Sequence, residues 1–154
     1  MTTQKSQAPG TISEFWKPMV PTRGINDWES AIIVYLMEQP FRGCDEVRRQ
    51  LESVRVTQMN AEDPSILVAV DHEPENRVSG HDSRLPLYWL FVQMYGYDGD
   101  GMVMWAMLLS SGGYLAKLDV RRADSSIFSS LPQPEAFAYS EEEFDRREKE
   151  RRAK

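Results

Sequence analysis

Two hydrophobic periods divide the chain. Over residues 27–38, apolar side chains recur every three or four positions, as on one face of a helix. The stripe comprises Trp28, Ala31, Ile32, Tyr35 and Leu36. Asn26 can cap this helix, and Glu29 three residues later completes a capping box. A second short helix is predicted over residues 44–52, with Val47 directed inward.

After residue 52 the period falls to two residues, which is the period of a β-strand. Alternating positions predict strands over residues 53–59, 65–71, 85–95, 102–110 and 114–122. The sequence Ser111-Gly112-Gly113 predicts a hairpin turn between the last two strands, because glycine tolerates positive φ. The pattern therefore predicts an α+β fold, in which two N-terminal helices pack on a four- to five-stranded, mostly antiparallel sheet.

The two ends of the chain differ from this central part. Residues 1–13 are small and polar, and we expect a disordered lead-in. Residues 14–138 are predicted to form a single α+β domain that starts with an extended arm, because Pro18 and Pro21 exclude a regular helix there. Residues 139–154 carry interleaved acids and bases with little to bury, so we expect a charged tail that is helical or disordered.

The net charge of the chain limits the classes of partner that it is expected to bind. The 154 residues include 24 acids and 18 Lys or Arg, which gives a formal net charge of −6. Nucleic acid and anionic membranes attract basic surfaces, so we expect neither as a partner, whereas a basic protein partner is compatible. Apolar runs fall short of the ~20 residues that span a bilayer. The first residues have no apolar signal-peptide region, and we expect a cytoplasmic protein.

The sequence YGYDGDG at residues 95–101 is a candidate metal loop. A calcium loop of the EF-hand type needs alternating oxygen ligands and a glutamate at its twelfth position. In the two possible registers that position is Leu109 or Met107. The pattern therefore favours a turn between two strands, which presents Asp98 and Asp100 as an acidic knuckle.

A second candidate is the polar segment after residue 70. It carries Asp71, His72, Glu73, Glu75, His81 and Asp82, which are groups that bind divalent metals or transfer protons. The spacing matches no helical His-Glu-x-x-His pattern, and a solvated loop is favoured. The single cysteine, Cys44, excludes a disulfide framework, and burial as a small apolar residue is favoured over a role as nucleophile.

Several motifs give the chain a resemblance to a known family. The sequences GCDEVRRQLESVRV, PSILVAVD and a glycine-rich hairpin before a Leu-Pro-x-Pro exit follow one another. The matching residues are Asp100, Gly101, Gly113, Leu115, Leu118, Arg122, Asp124, Leu131, Pro132 and Pro134. Over about residues 22–137 the chain resembles the small bacterial proteins of the family labelled DUF6984, which carry Asp-Gly where this chain has Asp124-Ser125-Ser126. The resemblance implies two helices and an antiparallel sheet, and it brings no catalytic residue.

From these observations we expect a non-enzymatic protein-binding domain without a cofactor. Its concrete form would be an immunity-type inhibitor that binds a basic bacterial toxin through an acidic surface. The predicted contact residues are Asp71, Glu73, Glu75, Asp98 and Asp100. One alternative is a metal-dependent enzyme or metal-binding protein that combines residues 71–82 with Asp98 and Asp100. A second alternative is a structural homo-oligomer that uses the Met- and Trp-rich strands.

Overall fold

A computed structural model describes residues 15–80, 88–138 and 141–153. The helices are α1 (Asp27–Met37), α2 (Cys44–Gln50) and α3 (Glu141–Arg152), and a 3₁₀ turn over Leu51–Ser53 extends α2. The strands are β1 (Trp16–Arg23), β2 (Arg55–Asn60), β3 (Ile66–Ala69), β4 (Trp89–Tyr97), β5 (Val103–Ser111), β6 (Tyr114–Arg122) and β7 (Phe137–Ala138). The predicted disordered lead-in, residues 1–13, lies outside the described residues. The domain span of 14–138 stays a prediction.

The described strands form one antiparallel sheet in the order β1-β2-β3-β6-β5-β4-β7. The α+β class is confirmed, but the predicted four to five strands are too few. Two strands show no clear pattern in the sequence. Strand β7 has only two residues, too few to show alternation, and β1 contains Pro18 and Pro21. Proline is tolerated in β1 because this strand lies at an edge of the sheet, where one side of the backbone needs no partner.

The prediction that helices open the fold is wrong, because β1 precedes α1. The start of α1 is as predicted. The side chain of Asn26 accepts a hydrogen bond from the Glu29 amide at 2.8 Å, and the Glu29 carboxylate accepts one from the Asn26 amide at 2.9 Å. Arg23 adds two hydrogen bonds to the same carboxylate, so Glu29 is buried with its charge paired.

The buried face of α1 is rotated slightly from the predicted stripe. Ala31 is exposed, whereas Ile33 and Met37 are buried. Arg48 of α2 donates to the Met37 carbonyl at 3.3 Å, which places α2 beside this side of α1. The core lies between these helices and the inward face of the sheet, with Met104, Ala106, Leu108, Leu118 and Val120 among its buried strand residues.

The segment after β3 is fastened to the hairpin turn between β5 and β6. The Val78 amide donates to the Gly113 carbonyl at 3.0 Å, and Arg77 Nε donates to the Gly112 carbonyl at 2.9 Å. Gln50 of α2, which is buried, donates to the Gly113 carbonyl at 3.1 Å and accepts from the Leu115 amide at 2.7 Å. Residues 71–80 and α2 therefore share one end of the sheet with this hairpin.

Within the described residues, no helix combines the length and apolar character that crossing a membrane requires. Helix α3 consists almost entirely of charged residues, and Arg146 pairs with Glu150 one turn later at 2.6 Å.

Candidate partner-binding site

The segment between β4 and β5 is a tight turn. The Asp98 amide donates to the Met102 carbonyl at 2.8 Å, and the Gly101 amide donates to the Asp98 carbonyl at 2.8 Å. Gly101 has a φ of 89°, a conformation that glycine adopts without steric cost. The geometry agrees with the turn that the sequence favoured over a metal loop.

Arg122, the last residue of β6, binds both carboxylates of this turn. Its Nη1 donates to Asp98 and, at 3.0 Å, to Asp100, while its Nη2 donates to Asp100 at 2.7 Å. Its Nε donates to Asp124 at 3.4 Å. The side chain of Arg122 is 8% exposed and that of Asp98 is 7% exposed, so this ion pair is largely removed from water.

The cluster shifts the titration of its members. Hydrogen bonds from Arg122 hold the pKa of Asp100 below its usual value. The hydroxyl and amide of Ser126, together with Arg122, lower the pKa of Asp124 to about 2. The carboxylates raise the pKa of Arg122 in turn. At neutral pH Asp100 and Asp124 are therefore fixed anions, which suits hydrogen-bond acceptance and does not suit general acid catalysis.

The turn between β2 and β3 brings Glu62 and Asp63 to the same end of the sheet. The side chain of Asn60 accepts hydrogen bonds from the Glu62 and Asp63 amides at 2.8 and 3.0 Å. Ser65 accepts from the Val120 amide at 2.9 Å and donates to the Asp119 carboxylate at 3.1 Å. These hydrogen bonds therefore attach the β2–β3 turn to β6.

A cleft of about 180 Å³ lies between the β2–β3 turn and the segment that follows β6. It is lined by Phe15, Asn60, Glu62, Asp63, Arg121, Ser125 and Ser126. Arg121 Nη2 donates to Asp119 Oδ2 at 2.8 Å. This hydrogen bond is the main cause of the raised pKa of Arg121, and the negative charge of Asp63 raises that pKa further. On the other side of the cleft, Ser126 donates to Asp124 at 2.7 Å. Because Asp124 also accepts from Arg122, this bond connects the cleft to the Arg122 cluster.

We call Glu62, Asp63, Asp98, Asp100 and Asp124 the acidic end. Arg122 is the counter-ion of this set, and Arg121 is paired with Asp119. Five carboxylates against one guanidinium leave the acidic end with a net charge of −4. The side chain of Asp100 is 57% exposed and that of Asp124 is 38% exposed, so part of this charge faces solvent.

The structure does not bring the predicted contact residues together. Asp71, Glu73 and Glu75 are exposed but lie at the opposite end of the sheet, where the Glu73 carbonyl accepts from the Tyr114 hydroxyl at 3.1 Å. Tyr114 begins β6 and Arg122 ends it. At ~3.3 Å per residue, eight steps of strand separate the two ends by roughly 26 Å. One continuous acidic surface over both sets is therefore absent.

The same distance separates His72 from Asp98 and Asp100, which the metal-binding alternative combines with residues 71–82. His72 stacks on Tyr114 with the ring centroids 4.1 Å apart, far from Asp98 and Asp100. His81 and Asp82 lie outside the described residues. Across residues 15–80, 88–138 and 141–153, no group of three His, Cys, Asp or Glu side chains is placed to hold a metal ion. Cys44 is a free, half-buried cysteine, with its thiol 3.8 Å from the Met37 carbonyl.

Four residues of this cluster were not among the predicted contact residues: Glu62, Asp63, Asp124 and Arg122. A signal for Arg122 was present, because Leu118, Val120 and Arg122 fall at alternate positions of one strand and so share its inward face. An arginine at an inward position needs carboxylate partners nearby. Glu62 and Asp63 carried no such signal, since their position depends on the long-range pairing of β3 with β6.

Comparison of the chain with protein-family models, with curated proteins and with solved structures finds no match.

Proposed function

We propose that this chain is a non-enzymatic protein-binding domain whose acidic end receives a basic protein. The observation that supports the proposal is a cluster of carboxylates at one end of the sheet: Asp98, Asp100 and Asp124 bind Arg122, and Glu62 and Asp63 line the cleft beside Arg121. By formal count, the five carboxylates of the acidic end and Arg122 leave a net charge of −4. Complementary charge increases the association rate and discriminates against wrong partners.

The acidic end is also preorganised. The β2–β3 turn is attached to β6 through Ser65, and the β4–β5 turn is attached to it through Arg122. A partner would meet carboxylates that already hold their positions, so less conformational entropy is lost on binding.

The concrete form of the proposal is an immunity-type inhibitor of a bacterial toxin. A toxin that acts on nucleic acid needs a basic surface to contact phosphates. An acidic domain that covers this surface would block substrate access by occupying the same charges. The predicted resemblance to the DUF6984 family stays a prediction and supplies no residue role here.

The test measures association with the purified product of the adjacent gene by biolayer interferometry at low and high salt. We expect binding that weakens as salt increases. The double variant Glu62→Gln/Asp100→Asn should weaken binding about tenfold, mainly through a slower association rate. The matched control is Glu73→Gln/Glu75→Gln, which removes the same charge at the other end of the sheet and should leave binding unchanged.

Two results would contradict the proposal. The first is a lack of any association at low salt. The second is an equal loss of affinity in both double variants, which would show that net charge matters and the acidic end does not.

A further inference from the structure

A second depression adjoins the acidic end. It has a volume of about 310 Å³ and lies between the β2–β3 turn, residues 61–64, and the segment of residues 127–131. Ile127 is 66% exposed and Leu131 is 51% exposed along this groove. We call it the apolar groove.

Contacts with the interior of the protein hold residues 127–131 in place. Phe128, between Ile127 and Leu131, packs against the hydrophobic core. Directly after the segment, Trp28 Nε1 donates to the Pro132 carbonyl at 2.9 Å. Ile127 and Leu131 therefore face solvent on an anchored backbone, and their exposure is a stable property of the surface. Isolated exposed apolar residues need no explanation, but two that line the same groove make it a candidate contact surface.

Charge distinguishes the apolar groove from a comparable apolar depression beside α1 and α2. Glu62 and Asp63 line both the groove and the polar cleft beside Arg121, so they form an acidic rim. The depression beside α1 and α2 has a volume of about 290 Å³ and lies next to the exposed Val34. It is bordered by one acid and one base, Glu38 and Arg48. The apolar groove alone of these two combines an apolar floor with net negative charge.

We propose that the apolar groove receives an apolar side chain of a basic protein partner, next to lysine or arginine residues that meet Glu62 and Asp63. The inference rests on the proposed function and adds the chemistry of the recognised segment. A buried apolar anchor surrounded by paired charges is the usual source of affinity in such interfaces, because rim charges alone contribute little.

The test uses NMR titration of the full ¹⁵N-labelled chain with three capped peptides. They are Lys-Lys-Leu-Leu-Lys-Lys, Lys-Lys-Ser-Ser-Lys-Lys and Glu-Glu-Leu-Leu-Glu-Glu. We expect the lysine–leucine peptide to shift the amides of residues 61–64 and 127–131, and the lysine–serine peptide to bind at least about fivefold more weakly. The acidic peptide should not bind the groove.

Variants give a second measurement. Ile127→Ser/Leu131→Ser should reduce the affinity for the lysine–leucine peptide to that for the lysine–serine peptide. Val34→Ser, which changes an exposed valine at the other depression, should bind like the wild type. The amide spectrum of each variant shows whether it is folded, and the peptide comparison on the wild type stands without the variants.

The outcomes separate this inference from the proposed function. If both lysine peptides bind equally and shift residues 98–101 and 124 without the groove, the inference is overturned and the acidic end remains a binding surface. Equal binding of the acidic and basic leucine peptides also overturns it. If neither lysine peptide produces any shift, both the inference and the proposed function are contradicted.

Discussion

Arg122 and Asp100 are joined by two parallel hydrogen bonds, from Nη1 to Oδ1 at 3.0 Å and from Nη2 to Oδ2 at 2.7 Å. This bidentate geometry fixes the orientation of the carboxylate as well as its distance. It links the end of β6 to the β4–β5 turn. In the sequence this turn precedes β5, whereas β6 follows it. The shape of the turn therefore depends on a side chain outside it.

Replacing Arg122 should loosen this turn. In Arg122→Met, the nearly buried Asp98 loses its cation, so we expect a melting temperature lower by several degrees and faster hydrogen exchange at the Asp98 and Gly101 amides. Calorimetry and amide exchange provide the measurements. The control is Arg146→Met, which removes an exposed pair with Glu150 and should have little effect. Equal losses in the two variants would show that Arg122 does not organise the turn.

The pKa of Asp124 tests the geometry of the neighbouring segment. Because the Ser126 hydroxyl is the largest cause of its low value, Ser126→Ala should raise the pKa of Asp124 from about 2 toward the usual ~3.9. Carboxyl ¹³C shifts measured against pH give the value directly. Ser130→Ala in the same segment serves as the control, and an unchanged pKa in Ser126→Ala would refute the assigned hydrogen bond.

Acid should destabilise the fold through the same cluster. The pKa values of Asp100 and Asp124 are lower in the folded chain than in the unfolded chain, so both bind protons more weakly when folded. Their contribution is present above the unfolded pKa of ~3.9 and is lost as the pH falls through the folded values. We expect urea midpoints to fall between about pH 4 and pH 2 more steeply in the wild type than in Asp100→Asn/Asp124→Asn. Parallel curves would contradict this.

Two glycines in the same region offer a matched pair of variants. A methyl group at Gly96 would overlap the carbonyl oxygen of Ala136, directly before β7, and would lie 3.1 Å from the Phe137 Cα. Because these are backbone atoms, Gly96→Ala should cost roughly 1–3 kcal/mol of unfolding free energy. Gly99 has no atom within 4 Å of the same position, and Gly99→Ala should change the stability by less than about 0.5 kcal/mol. Chemical denaturation measures both. A stable Gly96→Ala would mean that β7 does not pack closely on β4.

Local signals in the sequence predicted local structure well. The capping box at Asn26 and Glu29 and the alternation in β5 and β6 each depend on residues close together in the chain, and both are present in the structure. Pro18 and Pro21 exclude a regular helix and so predict an extended arm, but they give no sign that this arm pairs with β2 as an edge strand, where proline is tolerated.

The candidate site required information that short-range patterns do not contain. The sequence suggested one acidic surface, but the β5–β6 hairpin places Asp71, Glu73 and Glu75 at one end and Asp98 and Asp100 at the other. That division follows from which strands pair and in which direction. The position of Arg122 on an inward face could have been anticipated, but the number of carboxylates around it could not.

The pairing of β3 with β6 joins Ile66 to Leu118, 52 positions later in the chain. This long-range contact brings the β2–β3 turn to the other carboxylates of the acidic end, from which it is far apart in an unfolded chain. Any ligand of that surface therefore binds the native state and not the denatured ensemble, and by mass action it raises the melting temperature. Occupancy of the surface can accordingly be followed as a gain in thermal stability, without a label on either molecule.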